Sequence, residues 1–155
     1  MEIHFLRHGE AEEQQPGGSD ADRRLTPKGE KQAQRAAEWL ARHGRAPQWV
    51  VTSPYPRARQ TAEAVAERLG CPLVEDRRLT AGHFDLAALR SILVELGTPE
   101  TVLAVGHEPD LSEAIGQLIG GSVEMKKAAL ALVACPAPTR GGGLLTWLVP
   151  SAFQK

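Results

Sequence analysis

Cysteine is nearly absent from this chain. Cys71 and Cys135 are the only two, too few for a zinc cluster or a disulfide framework. Charge of one sign is lacking as well. The formal net charge is -1, from 18 Lys+Arg against 19 Asp+Glu, which argues against a large nucleic-acid footprint. Long hydrophobic runs are missing too. The longest apolar stretch is Ala128–Cys135, far short of the roughly 20 residues that span a bilayer. The start, Met1–Arg7, has no basic segment followed by an apolar one, so no signal peptide is read and a cytoplasmic location is expected.

What is present suits a folded core. The 155 residues are 42% hydrophobic and 24% charged, outside the range of disordered chains. One domain over residues 1–155, without repeat or linker, and a monomeric state are expected.

Strand-like and helix-like patterns alternate. Ile3-His4-Phe5-Leu6 reads as a buried strand that ends abruptly at Arg7-His8-Gly9. Residues 11–24 are polar, with Gly17-Gly18-Ser19-Asp20 in the middle, and read as a flexible loop. Thr26-Pro27 is an N-cap followed by proline at the first helical position, and Ala33, Ala36, Ala37 and Leu40 then recur at helical spacing. Further strands are read at 49–52, 72–74 and 101–105, and further helices through Ala62–Leu69, Leu86–Leu96 and Leu111–Ile119. Ala128–Ala134 and Leu144–Val149 flank a Pro/Gly turn and suggest an antiparallel hairpin. The pattern predicts an α/β fold: a three-layer α/β/α sandwich around a mostly parallel mixed sheet of about six strands, with an antiparallel strand near the C-terminus.

In open α/β sheets, ligands sit beyond the carboxyl ends of the strands. Three apolar strands end there in Arg7-His8-Gly9, Ser53-Pro54-Tyr55-Pro56-Arg57 and Gly106-His107-Glu108. A histidine after a strand is by itself usually an ordinary hydrogen-bonded residue. Two guanidinium forks and two imidazoles converging on one crevice are another matter: they suit a phosphoryl group. Arg57, just inside a helix N-terminus, adds backbone N–H groups that favour anions. The glycine at position 9 would let backbone approach a ligand.

These blocks resemble a known family. Leu-Arg-His-Gly-Glu at 6–10, Leu25-Thr26-Pro27-Lys28-Gly29, Ser53 through Ala62 and Val105 through Ser112 resemble the signatures of the histidine phosphatase (phosphoglycerate-mutase-like) superfamily. The short chain, the Ser53–Ala62 block and Met125–Leu130 are similar to its small bacterial phosphohistidine phosphatases. The resemblance implies that His8 is a nucleophile that becomes phosphorylated. Arg7, Arg57 and His107 would bind the phosphoryl oxygens, and Gly9, Ser53 and Glu108 would contact the substrate. It implies neither metal nor other cofactor. The chemistry agrees, since a neutral imidazole with a reference pKa of about 6.5 is a good nucleophile near neutral pH.

One expected part is missing. Ester-cleaving members use a glutamate as general acid in a Glu-x-x-x-Gly-like stretch after the third strand. Here the region reads Leu79-Thr80-Ala81-Gly82-His83-Phe84-Asp85. An alkoxide needs a proton donor, worth typically about 10²–10⁴-fold in rate. An imidazole leaving a protonated phosphohistidine departs neutral and does not. His83, Asp85 and Glu108 remain candidate acids. The absence and the short chain, which leaves little to wall a pocket, favour a phosphorylated protein as partner, such as a histidine-phosphotransfer domain. The alternatives are a small-molecule phosphomonoesterase of the same superfamily and a non-catalytic phosphohistidine binder.

Other features read as bland. Cys71-x5-Arg77 has the spacing of a cysteine phosphatase loop, but Pro72 has no N–H to offer and Glu75 and Asp76 would repel a phosphate. His4 reads as structural, Trp39 and Trp49 as packing residues and Arg59 as a solvated charge; Lys126-Lys127 reads first as a solvated face, with the rim of the pocket as the alternative.

Overall fold

The computed structural model describes all residues, 1–155. Six strands form one sheet: β1 (Glu2–Arg7), β2 (Trp49–Thr52), β3 (Leu73–Glu75), β4 (Thr101–Gly106), β5 (Leu130–Ala134) and β6 (Leu144–Val149). Their spatial order is β3-β2-β4-β1-β5-β6. The first four run parallel, whereas β5 is antiparallel to β1 and to β6. Four helices connect them: α1 (Pro27–His43), α2 (Pro56–Leu69), α3 (Leu86–Glu95) and α4 (Asp110–Ile119). The expected three-layer mixed sheet is therefore what forms. No helix is long and apolar enough to cross a membrane.

The alternation of β1 shows how the layers arise. Ile3 and Phe5 point to one face and pack with buried residues of α3 and α4. Leu6 points to the other and packs with Ala36, Ala37 and Leu40 of α1 and Ala58, Ala62 and Val65 of α2. Small alanines on both helices let them lie close together. The connections β1–α1–β2 and β2–α2–β3 move one way across the sheet, and β3–α3–β4 and β4–α4–β5 move back. Right-handed crossovers of the parallel connections put α1 and α2 on one face and α3 on the other, and α4 joins the α3 face. Neighbouring β1 and β4 thus send their helices to opposite faces, which opens a crevice at their carboxyl ends. Arg7 and Gly106 end those two strands and are register partners.

Helix α1 begins against this crevice. Thr26 accepts from the Gly29 N–H and its own N–H bonds the Glu10 carbonyl. Gly29 packs so closely that an added Cβ would lie 2.0 Å from the Glu10 carbonyl oxygen. Only glycine fits there, and the fit presses the start of α1 onto the segment that follows β1. On the opposite side, Ala128 adopts φ 55°, a left-handed conformation that costs an alanine roughly 1–2 kcal/mol. Its N–H donates to the His8 carbonyl at 3.1 Å and its carbonyl accepts from Gln154 at 2.7 Å, which holds the turn in place.

The loop read at residues 11–24 has local structure of its own: Ala11 bridges Leu25, and Asp20–Asp22 form a 3-10 turn capped by Ser19. The Cys71–Arg77 segment is no anion cradle, in keeping with its sequence: its middle is strand β3. Burial also raises the Cys71 thiol pKa rather than lowering it toward a thiolate.

Candidate active site

A cavity of about 210 Å³ opens at the β1/β4 crevice, lined by Arg7, His8, Asp20, Arg57, His107 and Glu108, with Ala11, Arg23, Ala81 and Lys127 completing its wall. The four residues expected to carry the chemistry, from three different strand ends, do meet. The His8 and His107 rings lie 5.2 Å apart between centroids.

His8 is oriented by its own neighbour. Its Nδ1 lies 2.7 Å from the Gly9 carbonyl. A carbonyl only accepts, so Nδ1 carries the proton and Nε2 keeps its lone pair. That lone pair accepts from Nε of Arg57 at 3.3 Å. Burial, with the positive charge of Arg57, Arg7 and Arg23, lowers the His8 pKa to about 4, against the partial support of the Gly9 carbonyl. At neutral pH the ring is an uncharged nucleophile.

His107 is held from the opposite side. Its Nε2 lies 2.8 Å from the hydroxyl of Ser53, which also accepts from the Tyr55 N–H. Ser53 is fully buried, and its hydroxyl proton is satisfied if it donates to Nε2. The His107 proton then sits on Nδ1, which has no partner in the protein. Burial first, then His8 and Arg57, push the His107 pKa down to about 3. It is a neutral donor here rather than a cation. Tyr55 flanks it at 5.2 Å and also lies under the Arg57 guanidinium.

Arg7 donates to the Met125 carbonyl at 3.0 Å, whereas its buried Nε has no acceptor. Met125 is held in turn: its N–H bonds the Ser112 hydroxyl, and both the hydroxyl and the N–H of Ser112 bond Glu108. Arg7 and His107, which line the cavity together with Arg23 and Arg57, thus each carry a buried N–H without a protein acceptor. Buried donors of this kind call for an anion. No group of His, Cys, Asp or Glu side chains in the structure is arranged to hold a metal ion.

Several residues do other work than the sequence suggests. Gly9 does not line the cavity: its carbonyl orients His8, its N–H donates to Thr61 at 3.1 Å, and a Cβ on it would strike Gly29. Ser53 also lies outside the cavity wall and orients His107. Glu108 does line the cavity, but both its oxygens accept from Ser112. Of the other candidate acids, Asp85 caps α3 through the Ala88 N–H. His83 is exposed and lines a neighbouring groove with Tyr55 and Arg77. Lys127, expected first as a solvated charge, is exposed but reaches the cavity wall.

Three participants escaped sequence reading. Asp20 bonds Arg57 at 2.9 Å. Thr61 donates to the Arg57 carbonyl at 2.7 Å while accepting from Gly9. Asp110 is buried, and one of its oxygens accepts from the backbone of Gly82, His83 and Phe84, tying down the loop that places Ala81 at the cavity. Thr61 and Asp110 carried a signal, since each falls within a recognised block; Asp20 carried none.

Comparison with known proteins agrees with this geometry. The family model of the histidine phosphatase superfamily (branch 1) matches residues 3–92. An uncharacterized protein of Picosynechococcus sp. is 36% identical over 137 residues, covering 84% of this chain and 82% of that protein. A probable phosphoglycerate mutase GpmB of Serratia proteamaculans is 34% identical over 104 residues, 64% of this chain but only 46% of that longer protein. Among solved structures, the protein histidine phosphatase SixA complexed with tungstate superposes over 100% of both chains with TM-score 0.88 and 26% identity.

Proposed function

The chain belongs to the histidine phosphatase superfamily, and from that premise we propose that it is a phosphohistidine phosphatase that removes the phosphoryl group from a protein-borne phosphohistidine, such as that of a histidine-phosphotransfer domain. The observation that carries the reading is the His8 site: an uncharged imidazole whose unprotonated Nε2 accepts from Arg57, in a ring lining a small cavity edged by Arg7, Arg57 and His107.

In the first step the Nε2 lone pair attacks phosphorus and the P–N bond of the substrate breaks. The substrate phosphohistidine carries a proton on its other ring nitrogen, so its imidazole leaves as a neutral ring. In the second, water attacks phosphorus, the bond to Nε2 breaks, and both water protons leave with phosphate as dihydrogen phosphate. His8 keeps its Nδ1 proton on the Gly9 carbonyl through both steps. Arg7, Arg57 and the Nδ1–H of His107 face the equatorial oxygens, where charge gathers in a loose transition state. The SixA structure that superposes on this chain holds tungstate, a tetrahedral oxyanion of similar shape.

Two features favour a P–N bond in a protein over a small ester. The cavity, about 210 Å³, is below the roughly 300–1,000 Å³ of ordinary small-molecule pockets. It accommodates a phosphoryl group while its carrier stays outside. No acid is poised for an alkoxide either. Asp20 is held below the usual carboxylate range by Arg57 and Arg23, outweighing its partial burial. Glu108 is engaged as an acceptor by Ser112, and the loop position nearest the cavity is Ala81.

The test offers the protein a phosphorylated histidine-phosphotransfer domain alongside sugar and nucleotide monophosphates. ³²P label is trapped on His8 by acid-free quench. Faster turnover of the domain, with label lost in His8→Ala, is the expected result. Faster turnover of the monophosphates makes it a small-molecule phosphatase, and no label from any donor makes it a binder.

A further inference from the structure

The most deeply buried guanidinium of the site already has an anion. The Arg57 side chain is 3% exposed, yet its Nη1 donates to the Asp20 carbonyl at 2.6 Å and its Nη2 to Asp20 Oδ2 at 2.9 Å. The other carboxylate oxygen meets Nε of Arg23 at 3.0 Å. Asp20 lines the same cavity as His8. It stands on the Asp20–Asp22 turn, none of whose residues is buried, so the turn is held to the site by its arginine contacts rather than by a core of its own.

This arrangement conflicts with the chemistry assigned to Arg57. A phosphorus bonded to Nε2 of His8 would occupy the place that Arg57 Nε now faces at 3.3 Å. Its oxygens would meet the guanidinium from its Nε side, next to the Nη1 and Nη2 donors that serve Asp20. A phosphoryl dianion and a carboxylate on one guanidinium repel each other.

We propose that Asp20 is an internal competitor of the phosphoryl group for Arg57. Its carboxylate holds Nη2 of Arg57 between turnovers, gives it up when a phosphoryl group enters, and takes it back as phosphate leaves. Asp20 therefore sets the oxyanion affinity of the site and limits inhibition by product. The inference rests on the reading of the cavity as a phosphoryl-transfer site and adds to it a residue that tunes binding against release. The bulk of the Asp20 hold on Arg57 is electrostatic. The backbone carbonyl contact survives substitution, so Asp20→Asn keeps the turn and removes only the charge.

The experiment titrates inorganic phosphate into the full-length protein and into Asp20→Asn by calorimetry. Thermal unfolding confirms that each is folded, and Asp20→Ala serves as a second variant. Competition predicts that phosphate binds about tenfold more tightly to Asp20→Asn, the scale of one charge-assisted hydrogen bond, with product inhibition tightened in parallel. A residue that merely steadied Arg57 would give the opposite sign. Equal or weaker binding by both variants, with the unaltered protein binding phosphate normally, overturns the competition and leaves the phosphatase reading intact. Absence of phosphate binding in all three proteins, with no label on His8, overturns both.

Discussion

Replacing Thr61 by valine removes one hydroxyl and keeps the branched shape of the side chain. The hydroxyl is fully buried and joins two parts of the site that are distant in sequence: it accepts from the Gly9 N–H at 3.1 Å and donates to the Arg57 carbonyl at 2.7 Å. Valine leaves a buried N–H without an acceptor, a loss of about 1–3 kcal/mol. For a chain of this size each kcal/mol lowers Tm by about 2–4 °C. The catalytic effect follows from the same peptide. Its carbonyl fixes Nδ1 of His8 at 2.7 Å, so a shift of the Gly9 peptide turns the nucleophile. A misplacement of 1 Å costs about 10²-fold, and a loss of ten- to a hundredfold in single-turnover phosphoryl transfer is expected, with phosphate affinity little changed. Thr61→Ser keeps the hydroxyl and loses a buried methyl, about 0.8 kcal/mol, and retains turnover. Chemical denaturation and quenched-flow transfer from a phosphohistidine protein measure both. If Thr61→Val turns over within twofold of Thr61→Ser, the link from Thr61 through Gly9 to His8 is wrong.

Three further outcomes are expected. The rate of His8 labelling is not lost as pH falls from 7 to about 5 and falls only near pH 4, because protonation of His8 removes the lone pair and its pKa is lowered to about 4; a loss of rate on the acid side of pH 6.5 contradicts this. His4 is fully buried with neither ring nitrogen bonded, and burial lowers its pKa to about 4. The unfolded chain therefore binds its proton first, so stability present above pH 6.5 drains away as pH falls toward 4. The loss is about 2 kcal/mol between pH 7 and 5; His4→Leu flattens that part of the denaturation-versus-pH curve, and an unchanged slope refutes it. Asp110→Ala frees three backbone N–H groups of the 82–84 loop and costs about 3 kcal/mol or more, whereas Asp110→Asn, which keeps an acceptor, costs less. Equal losses in the two variants, by urea denaturation, would show that hydrogen bonding is not what Asp110 supplies.

The layers of the fold were readable because each rests on a local pattern. The continuous buried run of β1, the alanine stripe of α1 and the Thr26-Pro27 cap are each local patterns of a few residues. The β1/β4 crevice followed from the order of apolar runs and the handedness of crossovers. His8, Arg7, Arg57 and His107 were visible because each interrupts an apolar strand or opens a helix, where a polar residue has little structural reason to stand. Asp20 and Lys127 offered no such contrast. Aspartate in a Gly/Ser-rich segment is the commonest composition of a solvated loop, and a lysine pair usually faces water.

By itself the sequence determined the sheet, its helices and the four residues at the strand ends, since period and position express them directly. The tertiary structure alone decided how those residues are held. Gly9 became the support of the nucleophile rather than a ligand contact, Ser53 the orienter of His107, and Asp20 the occupant of Arg57. The physical reason is sequence separation. Thr61 is 52 residues from Gly9, Ser53 is 54 from His107 and Asp20 is 37 from Arg57. A hydrogen bond between such partners has no period to announce it and exists only once the chain has closed around it.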